Sequence, residues 1–156
     1  MMNLKNLLKV QFKAVPRWIP ILVIVLVLIG FADATYLTVK HFQGQIPPCT
    51  IGGCETVLTS KYAVVAGIPI SLLGAIYYLF LAILLFMYQD ISKEIFLRIS
   101  LWISGLGILF SLWLTYLQIF VIKAFCSYCA VSATISLIIF ICAIYVFYKN
   151  FHNQTV

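Results

Sequence analysis

The sequence predicts an all-α integral membrane protein, a bundle of four transmembrane helices with an outer loop that contains a short interfacial half-helix. Two observations predict this fold class. Hydrophobic residues make up 64% of the 156 residues and charged residues only 9%, with a mean hydropathy of +1.12, whereas about a quarter of a soluble domain is charged. The second observation is a set of four long apolar runs, at 18–39, 68–88, 96–122 and 128–148.

Each apolar run is about 20 residues or longer, which lets a helix cross a hydrocarbon core of about 30 Å. Because lipid offers the backbone no hydrogen bonds, continuous runs of this length predict helices. We therefore expect a single membrane domain over 1–156. The net charge of +6 is not a nucleic-acid signal here, because the lysines and arginines lie before and between the apolar runs, which is typical of membrane topology.

Basic residues are distributed unevenly between the two ends of the predicted helices. One end has Lys5, Lys9, Lys13, Arg17, Lys93, Arg98 and Lys149, and the other has Lys40, Lys61 and Lys123. The positive-inside rule then places both termini in the cytoplasm and the loop at about 41–67 outside. An alternative is a cleaved signal peptide ending at Ala32-Asp33-Ala34, but the apolar pattern continues beyond that point.

The outer loop has a pattern of its own after Pro47-Pro48. From Glu55 to about Val65 apolar and polar residues alternate in a way that predicts a short amphipathic helix in the membrane interface. An irregular loop is the alternative. The Gly67-Ile68-Pro69 sequence then predicts a turn that returns the chain to the bilayer.

Small and polar residues recur at helical spacing in every run, and Ser71, Ser111 and Gln118 are among them. Such residues either allow helices to pack closely in lipid or line a pocket between them, and packing is favoured for most. Asp33 is the only acidic residue inside a run. Because a carboxylate inside a bilayer costs about 2.5–3.5 kcal/mol, it is expected to face the bundle interior or water. It is either a proton carrier or a protonated acid bonded to a neighbouring helix.

The sharpest chemical signal is Cys126-Ser127-Tyr128-Cys129, at the start of the fourth predicted helix. Residues three apart share one face of a helix, so the two sulfurs can meet. A helix N-terminus stabilises a thiolate, and the C-x-x-C pattern is typical of a dithiol–disulfide switch. A zinc site is the alternative, although zinc needs four ligands and only Cys49 and Cys54 could complete the set.

Cys49 and Cys54 form a second pair, separated by a segment that contains Gly52-Gly53. These glycines permit the backbone reversal that a disulfide requires, and an oxidising exterior favours its formation. A passive structural disulfide is the alternative to a redox-active one. Cys142 lies about 20 Å along the helix from Cys129, so it is expected to be a small apolar side chain.

With these residues in place, the chain resembles the vitamin K epoxide reductase family, and in particular its bacterial disulfide-forming members. The resemblance runs from about Gly30 to Cys129. It comprises Tyr36-Leu37-Thr38, His41, Cys49, Cys54, Val57-Leu58, Ser60, Pro69, Ser71, Gly74, Ser111-Leu112-Trp113-Leu114 and Phe125-Cys126-Ser127-Tyr128-Cys129. The order and spacing of these pieces make the resemblance specific.

The resemblance implies a quinone-linked dithiol–disulfide oxidoreductase in the bacterial cytoplasmic membrane. It further implies that a thioredoxin-like partner outside the cytoplasm, on a separate chain, reduces a Cys49–Cys54 disulfide. The electrons are then expected to pass from the loop pair to Cys126 and Cys129. By the same resemblance, Cys129 is expected to contact the membrane quinone, menaquinone or ubiquinone. Ser71, Ser111 and Asp33 are further candidate quinone contacts.

The chain also departs from the family pattern. Ile70 stands where the animal enzymes have an asparagine that bonds the quinone oxygen, and Ala133 stands where they have a tyrosine that contacts the quinone. These departures favour plain quinone reduction over epoxide reduction. Two alternatives are an unrelated thiol-to-quinone enzyme and a non-enzymatic transporter subunit or assembly factor with a structural loop disulfide.

Overall fold

The computed structural model describes residues 18–49, 53–91 and 94–154. Within these residues four helices are long and apolar enough to span a membrane, which confirms the predicted all-α membrane bundle. The elements in chain order are α1 (Trp18–Phe42), α2 (Cys54–Leu58), β1 (Val64–Val65), β2 (Ile68–Pro69), α3 (Ile70–Ile91), α4 (Glu94–Tyr116), a π-helix (Leu117–Ile122) and α5 (Ser127–Gln154).

The centre of the bundle lies where α1, α3 and α5 meet. Its buried side chains are Ile19, Val23, Val27, Ala34, Ala75, Tyr78, Leu81, Ile135 and Ile139. Gly30 allows α1 to approach α3 closely, because a Cβ atom at this position would lie 2.5 Å from Cζ of Tyr78. The α4 helix packs against α3 and α5, and Cys142 lies partly buried beside the central cluster.

The outer faces of the long helices are apolar and exposed. Trp102, Leu109, Leu112 and Ile141 are each more than half exposed. Contiguous apolar surface of this kind is rare in water-soluble monomers, whereas in a bilayer it faces lipid. The protein is therefore a multi-pass membrane protein.

The segment predicted as a helix from Glu55 to about Val65 is helical only in its first part. The α2 helix ends at Leu58, where the hydroxyls of Thr59 and Ser60 donate to backbone carbonyls of the helix. The β1 and β2 strands then pair antiparallel around Ala66 and Gly67, which both have positive φ. A tight turn with positive φ at both central residues matches the twist of a hairpin, and this pairing replaces the remainder of the predicted helix.

Membrane orientation stays a prediction. The basic residues Lys5, Lys9, Lys13, Arg17 and Lys93, on which the prediction depends, lie outside the described residues. Short helix α2 contacts the π-helix, so the loop between α1 and α3 and the connection between α4 and α5 meet at one end of the bundle. This end contains Cys54 and Cys126.

Candidate functional site

Cys126 lies at the N-terminus of α5. The chain leaves the π-helix through Lys123, which has a left-handed backbone conformation (φ 55°), and α5 begins at Ser127. The backbone N–H of Ala130 donates to the Cys126 carbonyl at 3.1 Å, which makes Cys126 the N-cap residue. Cys129 follows within the first turn, so both sulfurs lie at the same end of α5.

The Cys126 thiol is unusually acidic for its buried position. A hydrogen bond with the Cys129 thiol is the largest of the effects that lower the pKa of Cys126 to about 7, and the backbone N–H groups of Cys129 and Tyr128 lower it further. Burial opposes this shift. A thiol with this pKa is about half ionised at pH 7, and the thiolate is the reactive form in disulfide exchange.

The loop pair, Cys49 and Cys54, forms a disulfide with the Cα atoms 6.0 Å apart. Gly53 precedes Cys54 with φ 120°, and a Cβ atom at this position would lie 2.8 Å from the Phe125 carbonyl oxygen. Glycine is therefore required both for the backbone conformation and for the close approach to Phe125. Gly52, the other glycine of the predicted reversal, lies outside the described residues.

The approach of Gly53 to Phe125 places the two cysteine pairs against each other. Cys54 and Cys126 are both 0% exposed and, together with Val57, form one buried cluster that Cys49 and Cys129 adjoin. The structure thus brings together the four predicted redox cysteines. Disulfide exchange needs sulfurs of the two pairs to meet, and this arrangement places the residues of the two pairs in one packed cluster.

The two central residues of the C-x-x-C motif also contact the loop. The Tyr128 hydroxyl donates to the Pro48 carbonyl at 2.9 Å, and the Ser127 hydroxyl lies 4.0 Å from the Cys49 sulfur. The Tyr128 ring packs against Tyr36 of α1 at a centroid distance of 6.0 Å. These contacts hold the segment before Cys49 over the start of α5.

Gln118, on the π-helix, is a site residue that sequence reasoning identified only as one of several polar positions in the third run. Its side-chain Oε1 accepts a hydrogen bond from the Cys126 backbone N–H at 3.1 Å, and its backbone carbonyl accepts from the N–H groups of Lys123 and Ala124. A π-helix turn is frequent at functional sites. The sequence signal was a polar residue at the end of a span, near the C-x-x-C motif.

A cavity of about 940 Å³ lies between the long helices below the cysteine cluster. The predicted quinone contacts Cys129, Asp33, Ser71 and Ser111 all line this cavity, although their roles stay predictions. Ile70 and Ala133, the two apolar departures from the family pattern, line it as well. A cavity of this size and apolar character is typical of small-molecule sites.

Two buried polar atoms on the cavity wall lack hydrogen bonds within the described residues. They are Oδ2 of Asp33 and the Tyr77 hydroxyl, and Tyr77 lies near Ser136 without hydrogen-bond geometry. The neighbouring Tyr78 hydroxyl, by contrast, bonds to both Ser132 and Ser136. Unpaired buried polar atoms are uncommon in folded proteins and require a partner. A flat apolar ring with polar oxygens, such as a quinone, fits such a cavity.

Comparison with known proteins gives a match to one family model, described as the vitamin K epoxide reductase family, over residues 21–144. Comparison with curated proteins finds no match to this sequence. Enzymes of this family are thiol oxidoreductases that are generally coupled to quinones. The matched region runs from the first turn of α1 through most of α5 and contains all four cysteines of the cluster, and the chain therefore belongs to the vitamin K epoxide reductase family.

Proposed function

We propose that this protein is a quinone-dependent thiol oxidoreductase that reoxidises a thioredoxin-like protein outside the cytoplasm and so supports disulfide bond formation. The observation on which the proposal depends is the burial of Cys54 against Cys126, with Cys129 on the wall of the apolar cavity. Sulfur atoms thus connect an outer loop to a cavity between the helices.

The first step is reduction of the loop disulfide by a dithiol partner. Cys49 is partly exposed, whereas Cys54 is fully buried, so an incoming thiolate reaches the Cys49 sulfur. Attack forms a mixed disulfide between the partner and Cys49 and releases Cys54 as a thiolate. The second partner thiol then displaces Cys49, which leaves the partner oxidised and the loop pair reduced by two electrons.

The second step moves these electrons to the C-x-x-C pair in its disulfide form. The Cys54 thiolate attacks the sulfur of Cys126, its neighbour in the buried cluster, and Cys129 is the leaving thiolate. Cys49 then attacks Cys54, which restores the loop disulfide and releases Cys126. Exchange is faster when the leaving thiol has a low pKa, and the pKa of about 7 at Cys126 favours its release.

The third step takes place at the cavity. The cavity would hold a quinone, which when bound would supply an acceptor for two electrons and two protons. Cys126 and Cys129 would supply the electrons and return to the disulfide, and Cys129 is the member of the pair that lines the cavity. Asp33 lies on the same wall and can exchange protons there as a carboxyl group. Ile70 and Ala133 add only apolar surface, which supports reduction of the quinone itself.

The proposed location is the bacterial cytoplasmic membrane, with both termini in the cytoplasm and the cysteine cluster at the outer end. The distribution of basic residues in the sequence supports this orientation. Fusion of a periplasmic reporter enzyme to the C-terminus tests it, because the reporter is inactive when the C-terminus is cytoplasmic.

The deciding experiment is quinone reduction by the purified protein with a reduced thioredoxin-like substrate. Wild type is compared with Cys129→Ala and Cys54→Ala, and Cys142→Ala is the matched control because Cys142 lies away from the cluster. We expect wild type and Cys142→Ala to turn over and Cys129→Ala to be inactive. Cys54→Ala is expected to fail with the protein substrate but to work with a small dithiol.

Failure of wild type to reduce any quinone contradicts the proposed electron route. In that outcome the cysteines are structural, and a transporter subunit or an assembly factor becomes the favoured function.

A further inference from the structure

Gln118 occupies a position between the cysteine pair and the cavity. Its side chain is 7% exposed, its Oε1 accepts from the Cys126 N–H at 3.1 Å, and it also lines the cavity that Cys129 lines. A glutamine buried this deeply in a membrane span is costly unless its amide is satisfied on both sides. Only one side is satisfied by a hydrogen bond within the described residues.

The orientation of the Gln118 amide follows from its partner. A backbone N–H can only donate, so the amide oxygen must face Cys126, and the amide NH2 group is the other end of the same planar unit. No described residue accepts a hydrogen bond from this NH2 group, and it is absent from the fully buried unpaired atoms of the described chain. The donor is therefore accessible from the cavity.

Two other donors on the cavity wall, the hydroxyls of Thr115 and Tyr78, are already used, whereas the Tyr77 hydroxyl is not. The Thr115 hydroxyl donates to the Ser111 carbonyl at 2.8 Å, and the Tyr78 hydroxyl bonds to Ser132 and Ser136. Gln118 differs from them because its NH2 group is unused and its position is fixed by Cys126. A donor that is fixed in advance binds an acceptor without an additional ordering cost.

We propose that Gln118 is a quinone-binding residue whose amide NH2 donates a hydrogen bond to a quinone carbonyl while its amide oxygen holds the Cys126 backbone. The inference rests on the proposed function, because it assigns the quinone to this cavity. The π-helix makes both contacts possible, since its wider turn brings the Gln118 side chain to the Cys126 backbone. One side chain thus aligns the quinone with the cysteine pair that reduces it.

The test compares two ligands that differ only in their carbonyl groups, 2,3-dimethyl-1,4-naphthoquinone and 2,3-dimethylnaphthalene. Binding to the oxidised protein in nanodiscs is measured by calorimetry, with empty nanodiscs as the reference for partition into lipid. No electrons move in this state, so binding is separated from turnover. The variants are Gln118→Leu, which removes both contacts, and Gln118→Asn, whose shorter side chain cannot span them. Ser104→Ala is the matched control, because Ser104 is buried on α4 and does not line the cavity.

We expect both Gln118 variants to bind the naphthoquinone about 3- to 10-fold more weakly, which is the range for one hydrogen bond to a neutral group. Affinity for dimethylnaphthalene stays the same, and Ser104→Ala changes neither affinity. The carbonyl stretch of the bound naphthoquinone also moves to a higher infrared frequency in the Gln118 variants, because the hydrogen bond that weakens the C=O bond is lost.

Two results overturn the inference in different ways. If wild type binds the naphthoquinone and the Gln118 variants bind it equally well, or lose affinity for both ligands equally, Gln118 does not donate to the quinone. If wild type does not bind the naphthoquinone, the proposed function fails together with the inference. The comparison of ligands distinguishes a lost hydrogen bond from a collapsed cavity, because collapse weakens both ligands.

Discussion

Replacing Cys129 tests directly what the C-x-x-C geometry does to Cys126. The Cys129 thiol makes the hydrogen bond that is the largest cause of the low pKa of Cys126. In Cys129→Ala this bond is lost and burial, which raises the pKa, remains. We therefore expect the pKa of Cys126 to rise from about 7 toward the value of 9.0 of an unperturbed thiol.

The size of the effect follows from the two pKa values. At pH 7 a thiol of pKa about 7 is about half ionised, and a thiol of pKa 9.0 is about one-hundredth ionised. The full loss of the shift thus lowers the thiolate population at pH 7 by about fifty-fold. The two backbone N–H groups that also lower the pKa remain in the variant, so the observed decrease is smaller than this limit.

The assay is the ultraviolet absorbance of the thiolate as a function of pH, in a background in which Cys49, Cys54 and Cys142 are alanine. Cys129→Ser is the matched variant, because its hydroxyl keeps a donor for the Cys126 thiolate. We expect Cys126 to titrate near pH 7 in Cys129→Ser and well above pH 7 in Cys129→Ala. Equal titration of the two variants near pH 7 would refute the reasoning, because the N-terminus of α5 alone would then account for the low pKa.

Three further predictions concern the loop, the bundle and the proton. Gly53→Ala slows electron transfer between the cysteine pairs, because a Cβ atom at this position meets a backbone carbonyl. Gly44 also has a positive φ, but a Cβ atom there has nothing within 4 Å, so Gly44→Ala leaves the rate unchanged. Stopped-flow exchange kinetics measure both rates. Tyr78→Phe lowers the free energy of unfolding by about 1–3 kcal/mol, since three hydrogen bonds are lost. Tyr116 is exposed, so Tyr116→Phe leaves the free energy of unfolding unchanged, and denaturant titrations measure both variants. Asp33→Asn slows quinone reduction by about 10²-fold without changing thiol exchange in single-turnover measurements, and an unchanged rate would assign the protons to water.

Much of the fold could be predicted from the sequence because the insertion of apolar segments into lipid depends mainly on their length and composition. Each of the long apolar runs has no stable alternative in lipid to a helix, so the bundle followed from length and hydropathy. The loop was less predictable. Val64 and Val65 fit an amphipathic helix by spacing, but they are β-branched and precede Ala66-Gly67, whose positive φ values favour a hairpin turn. The local turn determined the structure of this segment.

The candidate site was predictable to a different extent for each kind of residue. The cysteines could be placed together because the topology brings the loop and the start of the fourth helix to one end of the bundle. The role of Gln118 could not be predicted, because its contact with Cys126 depends on a π-helix. A single π-helical turn contains about one more residue than an α-helical turn, and the spacing of apolar residues in the sequence does not show this difference. Likewise, Gly53 was expected to permit a reversal, but its contact with Phe125 depends on how two distant segments pack.

Cys126 is held at every polar group of its backbone and at its sulfur. Its N–H bonds to Gln118, its carbonyl accepts from Ala130, and its thiol bonds to Cys129. The preceding residue, moreover, packs directly on Gly53. A reacting group held in this way needs little reorganisation when its partner arrives. Cys49 lies on the partly exposed side of this cluster, with the Ser127 hydroxyl 4.0 Å from its sulfur and the hydrogen bond from Tyr128 to the Pro48 carbonyl beside it. The transfer from Cys54 to Cys126 that we propose therefore takes place within a site that is already assembled.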